Sequence, residues 1–160
     1  MNEPGTRTPG HLGGPFLAEV VSVSDPDRRG RVQVRLFAFD GVPDHDAPLW
    51  ARVAAPFAGR DRGAFLIPDV GDEVLVAFVQ GDPRHPVVVG SLWNGRDAPP
   101  DQLGGDRVDR WTLVGKAGTR IAIVEETPAS ARIELITPAG VHATLTDRDG
   151  GVVEIEAAGA

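Results

Sequence analysis

Acidic and imidazole side chains gather in three short stretches: Asp25 and Asp27 in DPDRRG, Asp44, His45 and Asp46 in PDHDAP, and Asp82 and His85 in GDPRHP. Carboxylates beside histidines are the raw material of a metal site or of acid and base catalysis. Each pair, however, stands among Pro and Gly, where Asp ordinarily closes a turn on the backbone. No His-x-x-x-His helix, serine elbow or Ser/His/Asp triad order accompanies them, so they are read as turn residues and no catalytic, metal or cofactor site is assigned. Cysteine is absent, which removes thiol nucleophiles, thiolate metal sites and disulfides together. Arg28, Arg29, Arg31 and Arg35 form the one basic cluster, and a basic groove with stacking aromatics would bind single-stranded nucleic acid. Against that, the chain has no Tyr, only 6% aromatic residues and a net charge of −7. No nucleic-acid partner is expected, and the cluster is read as a solvated or partner-facing patch. Trp50, Trp93 and Trp111 are read as packing residues rather than ligand platforms, with Trp111 placed to staple the C-terminal segment to what precedes it. Gly71, Gly81 and Gly90 are read as turn and close-approach positions, since no helix follows any of them to cradle a phosphate.

The elements that hold these residues are strands. Twenty Gly and fourteen Pro punctuate the 160 residues at short intervals, and helical periodicity is missing throughout. The class is all-β. FLAEVVSVS (16–24) is strand-like, and RVQVRLFAF (31–39) alternates, with Val32, Val34 and Leu36 on one face and Arg31, Gln33 and Arg35 on the other. LWARVAAPFAG (49–59) is broken by Pro56, so only its first half suits an interior strand. AFLIP (64–68) is short and apolar, and GDEVLVAFVQ, GDPRHP and VVVGSLW make a hairpin. Five or six strands in about 95 residues fit a small Greek-key barrel, although periodicity does not separate that from a sandwich. In VLVAFV (74–79) every position is apolar, so barrel closure covers one face only. Either Val74, Val76 and Phe78 or Leu75, Ala77 and Val79 should meet a second subunit, a partner or an overlying loop.

The start, residues 1–14, has no apolar core and reads as a flexible arm, neither a secretory signal nor a membrane span. Residues 15–95 form the barrel segment, and 96–110 concentrate Gly, Pro and Asp as a linker. Residues 111–160 then hold five very short strand candidates, WTLV, TRIAIVE, ARIELIT, VHATLT and VVEIE. Ile121, Ile123, Ile133, Leu135, Val141, Ala143, Leu145, Val153 and Ile155 share one side of them, and Arg120, Arg132, Glu134, His142, Thr144, Thr146, Glu154 and Glu156 share the other. With two or three apolar residues per strand and nothing in the segment to cover them, burial by copies of the same chain is the expected solution, in an intertwined or prism-like oligomer.

At this point the residues resemble a known family. Residues 50–100 run WARVAAPFAGRDRGAFLIPDVGDEVLVAFVQGDPRHPVVVGSLWNGRDAPP. They resemble the signature region of phage baseplate assembly protein V and of the VgrG spike proteins of type VI secretion and extracellular contractile injection systems. The matching elements are Trp-x-Arg-Val, Pro-Phe-Ala-Gly, Ile-Pro-x-Val-Gly-Asp-Glu-Val-Leu-Val, the Gly-Asp-Pro hairpin and Gly-Ser-Leu-Trp-Asn-Gly. GRVQVRLF (30–37) is similar to the family's second barrel strand, and the tail is similar to its C-terminal β-helix or β-prism.

The resemblance implies an OB-fold barrel followed by a short trimeric needle, a structural central spike driven through a target membrane when a sheath contracts. It implies no enzymatic activity and no cofactor. It implies a homotrimer whose barrels sit on a separate hub protein, since no large hub domain precedes the barrel, and whose interior is formed by Ile121, Ile123, Ile133, Leu135, Val141, Leu145, Val153 and Ile155. Val74, Val76, Phe78, Trp93 and Trp111 are the barrel-interface candidates. The His-x-His iron pair of certain phage spikes is missing, because His142 is followed by Ala143 and Thr144. A PAAR-type tip protein at the C-terminal end, with effector cargo as a further partner, is the implied alternative. Assembly in the bacterial cytoplasm and incorporation into a phage tail or injection particle complete the expectation. A nucleic-acid-binding OB module and a cell-wall hydrolase spike are the competing readings, and residues 94–107 leave no room for an intervening lysozyme domain.

Overall fold

The computed structural model describes residues 12–42 and 46–157. Most of the expected N-terminal arm, and Asp44 and His45 with it, lie outside the described residues. The chain divides into two compact units, 1–97 and 98–160. Among the described residues helix is confined to single 3-10 turns at Phe37–Phe39, Val79–Gly81 and Arg148–Gly150. No helix among them is long and apolar enough to cross a membrane.

In the first unit five strands close a barrel: β1 (Phe16–Ser22), β2 (Val32–Leu36), β3 (Leu49–Val53), β6 (Glu73–Phe78) and β7 (Pro86–Leu92), in the order β1-β2-β3-β7-β6 with β6 returning to β1. All pairs are antiparallel except β3 with β7. Closure leaves no free strand edge, and it explains the alternation: residues of one parity turn inward on every strand. Ala18 and Val20, Val32, Val34 and Leu36, Ala51, Val74, Val76 and Phe78, and Val88 fill the interior, with Leu12, Phe16, Phe39, Leu49, Val53 and Ile67 packed around them. Phe16 stacks on Phe39 at 5.9 Å and meets Phe78 edge-on at 5.6 Å. The core is built mainly from Val, whose branched side chain has few rotamers to lose on a pleated surface.

Pro56 stops β3 as expected. Between β3 and β6 the chain makes only a minor hairpin, β4 (Ala58–Gly59) with β5 (Arg62–Gly63). AFLIP, apolar as it is, forms no strand, and Phe65 and Leu66 within it are exposed.

The second unit is an antiparallel meander in which each strand pairs with its neighbour in sequence: β8 (Arg110–Val114), β9 (Arg120–Val124), β10 (Arg132–Ile136), β11 (His142–Thr146) and β12 (Val152–Glu156). The register is unbroken across all five strands. Tight turns make this possible: Gly118 and Gly140 take φ of +92° and +88°, and Gly115 N–H donates to Thr119 O at 2.8 Å while Thr137 N–H donates to Val141 O at 2.9 Å.

Candidate interaction surfaces

Two of the acidic stretches that invited a catalytic reading, those of Asp25 and Asp82, close turns instead, while Asp44 and His45 of the third lie outside the described residues. Asp25 accepts backbone hydrogen bonds from Asp27 at Oδ1 (3.1 Å) and from Arg29 (2.7 Å) and Arg31 (3.2 Å) at Oδ2, and the Arg31 guanidinium donates to Oδ1 at 2.7 Å. That guanidinium, more than the backbone donors, holds the Asp25 carboxyl far below the usual carboxylate range. Arg31 also meets Asp27 at 2.8 Å and lies over the Trp50 ring at 5.6 Å. Asp82 does the same work in the β6–β7 turn: the side chain of Arg84 at 2.6 Å, and then its backbone N–H at 2.9 Å, depress its pKa strongly. The basic cluster is therefore not an open groove, because Arg31 faces Asp25 and Asp27 and Arg35 faces Glu19 at 3.2 Å. Among the described residues no three His, Asp or Glu side chains gather as a metal site would need.

The chemistry of this chain lies in its surfaces, and the meander presents two opposite ones. Cross-strand partners share a face, so the register lines up two apolar rows on one side. Trp111, Ile123, Ile133, Leu145 and Val153 form the first; Leu113, Ile121, Leu135, Ala143 and Ile155 form the second. Within one chain nothing covers them: the large members of both rows are 41 to 73% exposed. Val141, just before β11, is exposed beside them. The first row floors a cleft of about 570 Å³ walled by the connections around Glu125, Ala131, Asp147 and Gly151.

The other side is polar and ordered by charge. Arg110, Glu126, Arg132, Glu134, Arg120 and Asp101 form a closed circuit of alternating sign, with successive contacts of 2.8, 3.5, 2.6, 3.9, 3.0 and 4.0 Å. Ala122 and Val124, the two fully buried apolar residues of this unit, sit inside that circuit: Thr112 and Glu134 flank Ala122, and Arg110 and Arg132 flank Val124. Asp101 also accepts from the Thr112 hydroxyl at 2.5 Å, and that bond, followed by Arg120, lowers its pKa. Asp109 is lowered by its hydrogen bond from Arg110 at 2.9 Å. Within 96–110, expected as a linker, two points are tied to the sheet: the Asp101 side chain, by Thr112 and Arg120, and the Asp109 carbonyl, which accepts from Glu125 N–H at 2.7 Å. His142 lies on this polar side, and its Nε2, like Thr146 Oγ1, is buried without a hydrogen-bond partner among the described residues.

On the barrel, the parity that VLVAFV left open is settled by the core. Val74, Val76 and Phe78 point inward, which removes them as interface candidates. The reason is that β1 and β7 bury the same parity opposite them, Ala18 against Val74 and Pro86 against Phe78. Leu75 and Ala77 face outward, half-buried, and Val79 is exposed. Trp93 and Trp111, at 68% and 53% exposure, belong to neither core and remain surface residues.

A Greek-key barrel closed by a parallel β3–β7 pair, followed by a sheet with one face left bare, is an arrangement that can be compared with known proteins. Residues 16–93 match the family described as the type VI secretion system/phage-baseplate injector OB domain. The barrel is similar to that injector domain. The chain is 42% identical over 79 residues to the type VI secretion system spike protein VgrG5 of Pseudomonas aeruginosa, which covers 48% of this chain and 10% of that one. It is 35% identical over 96 residues to VgrG1a of the same organism (56% and 15%), and 35% identical over 103 residues to VgrG2a (61% and 12%). The chain thus spans about a tenth to a seventh of the length of these spike proteins. It is VgrG-like over the matched residues, and the sheet with the bare face follows the barrel in sequence.

Proposed function

We propose that the chain is the central spike of a contractile injection apparatus, with three copies joined through the meander of residues 111–160 into a short needle. The observation that carries this is the pair of uncovered apolar rows attached directly to an injector OB domain. Exposed apolar patches of this size on a soluble chain mark an association surface, and the circuit of ion pairs gives the same sheet a water-facing side. Ile121, Ile123, Ile133, Leu135, Val141, Leu145, Val153 and Ile155 then line the axis.

The mechanism is stiffness. Backbone hydrogen bonds closed within the assembly and a dry interior between sheets let an axial push pass without local unfolding. The barrel, residues 15–95, seats on a separate hub protein, and the far end receives a PAAR-type tip, with cargo carried through that tip. No chemical step is part of this function. Assembly takes place in the bacterial cytoplasm, and the target membrane is met only during injection. Single-strand binding is the weaker reading, since Arg31 and Arg35 already face carboxylates. A cell-wall hydrolase is weaker still, since the carboxylates of Asp25 and Asp82 are held by neighbouring arginines and backbone donors.

The test is Ile133→Asp or Leu135→Asp, each of which would bury a charge without a partner on the axis. Light scattering should report monomer or aggregate. A trimer of ordinary stability in both variants would rule the needle out.

A further inference from the structure

Residues 54–72 leave the barrel between β3 and β6, and they carry its most exposed aromatic side chain, Phe65 at 82%. The excursion has a fixed shape. β4 pairs with β5, Ala64 N–H donates to Phe57 O at 3.1 Å, and Ile67 packs on the barrel core. Gly63 is required there, because a Cβ on it would stand 2.9 Å from that same carbonyl oxygen. Phe57, Phe65 and Leu66 are therefore held in water by the backbone rather than left there by a loose loop. Beside them Arg60 and Arg62 are exposed and face no carboxylate within ion-pair distance among the described residues, whereas Arg31, Arg35, Arg84 and Arg96 all do. Aromatic residues and unpaired arginines side by side are the usual composition of a protein-protein hot spot.

The barrel also carries a surface of the opposite character. A cleft of about 330 Å³ is lined by Glu19, Phe37, Gly71, Glu73, Asn94 and Arg96. Glu19 and Glu73 stand directly opposite each other on β1 and β6, where like charges destabilise a sheet. Glu19 has Arg35 as counter-ion, but among the described residues the side chain of Glu73 has only the Asn94 amide at 2.9 Å, and Arg96 turns to Asp97 at 3.3 Å. One aromatic side chain, Phe37, beside an under-neutralised pair of carboxylates is the complement of an apolar hairpin with two unpaired guanidinium groups.

We infer that the β4–β5 hairpin of one copy docks in the Glu19–Glu73 cleft of the next, its arginines completing the carboxylate pair and its phenylalanines covering Phe37. The contact joins two different patches, so it is head-to-tail and not two-fold, and with three copies it closes as a ring. This rests on the trimeric reading and adds to it a barrel interface independent of the needle.

The experiment is a charge swap in the full chain, read by sedimentation as the concentration at half-assembly. Glu73→Arg, and separately Arg60→Glu with Arg62→Glu, should each raise that concentration about tenfold or more, in line with close charge pairs across interfaces. Glu73→Gln should shift it the same way by a smaller factor while leaving the barrel fold undisturbed. Combining both reversals should restore assembly to within a few-fold of the starting chain. A combined variant as weak as the product of its parts, or reversals without effect on an intact trimer, would overturn the hairpin contact and leave the needle standing. An unmodified chain that is monomeric at every concentration would instead remove the trimeric reading itself.

Discussion

The barrel and the meander are written in the same code and end in different states. Both consist of five short main strands with apolar side chains at every second position. In the barrel the sheet curls until β6 reaches β1, and Val20, Val34, Val74, Val76 and Val88 meet one another inside. In the meander the register is straight, β8 and β12 stay apart as edges, and Ile123, Ile133, Leu145 and Val153 meet one another along the row while their face stays open. The pattern alone therefore fixes which side is apolar, and closure decides whether the chain or its copies must cover it.

This contrast can be broken most forcefully with two aspartates. Val76→Asp should unfold the barrel, because it leaves an unpaired charge in a closed core; the expected loss, about 3 to 5 kcal/mol, is a large part of a small domain's stability. Ile133→Asp should leave the barrel folded by circular dichroism and abolish assembly. If the two variants behaved alike, the distinction between self-covered and copy-covered faces would fail. A milder pair sharpens it: Val34→Ala should destabilise the barrel by about 2 to 3 kcal/mol in urea at any protein concentration. Ile123→Ala should show its effect only as a concentration-dependent melting temperature.

Much of this was legible in the residues. The two parities of the C-terminal strands, down to Ile121 and Ile123 against Arg120, follow from alternation, and Pro56 marks the end of β3. VLVAFV was not legible, since Leu75 and Ala77 are as apolar as Val74 and Val76, and only the neighbouring strands decide which set turns inward. Nor was AFLIP, whose apolarity suggested burial while the backbone holds Phe65 and Leu66 in water. The ion-pair circuit escaped for a different reason: Asp101 meets Arg120 across nineteen positions of chain, and no local spacing encodes such a contact.

Asp101 gives the next smaller effect. Asp101→Ala should weaken the meander by about 1 kcal/mol, since it opens the circuit, leaves the Thr112 hydroxyl without its acceptor and takes from Arg120 its closest carboxylate. The shift should shrink in high salt. The smallest effect near neutrality is that of acid. Asp25, Asp82, Asp101 and Asp109 all have pKa values lowered by folding. As pH falls the unfolded chain takes up protons before the folded one, so their contribution is complete at neutral pH and is lost below about pH 4. Thermal melts should be flat from neutrality to about pH 5 and decline steeply beyond the ordinary aspartate range, whereas a decline beginning near pH 6 would point to histidine instead.

The most direct test of the central claim is the native mass of the full chain across protein concentration. The account predicts three copies, assembling in one step and persisting to high dilution. A monomer whose Ile133 and Leu135 face stays bare at high concentration would contradict it.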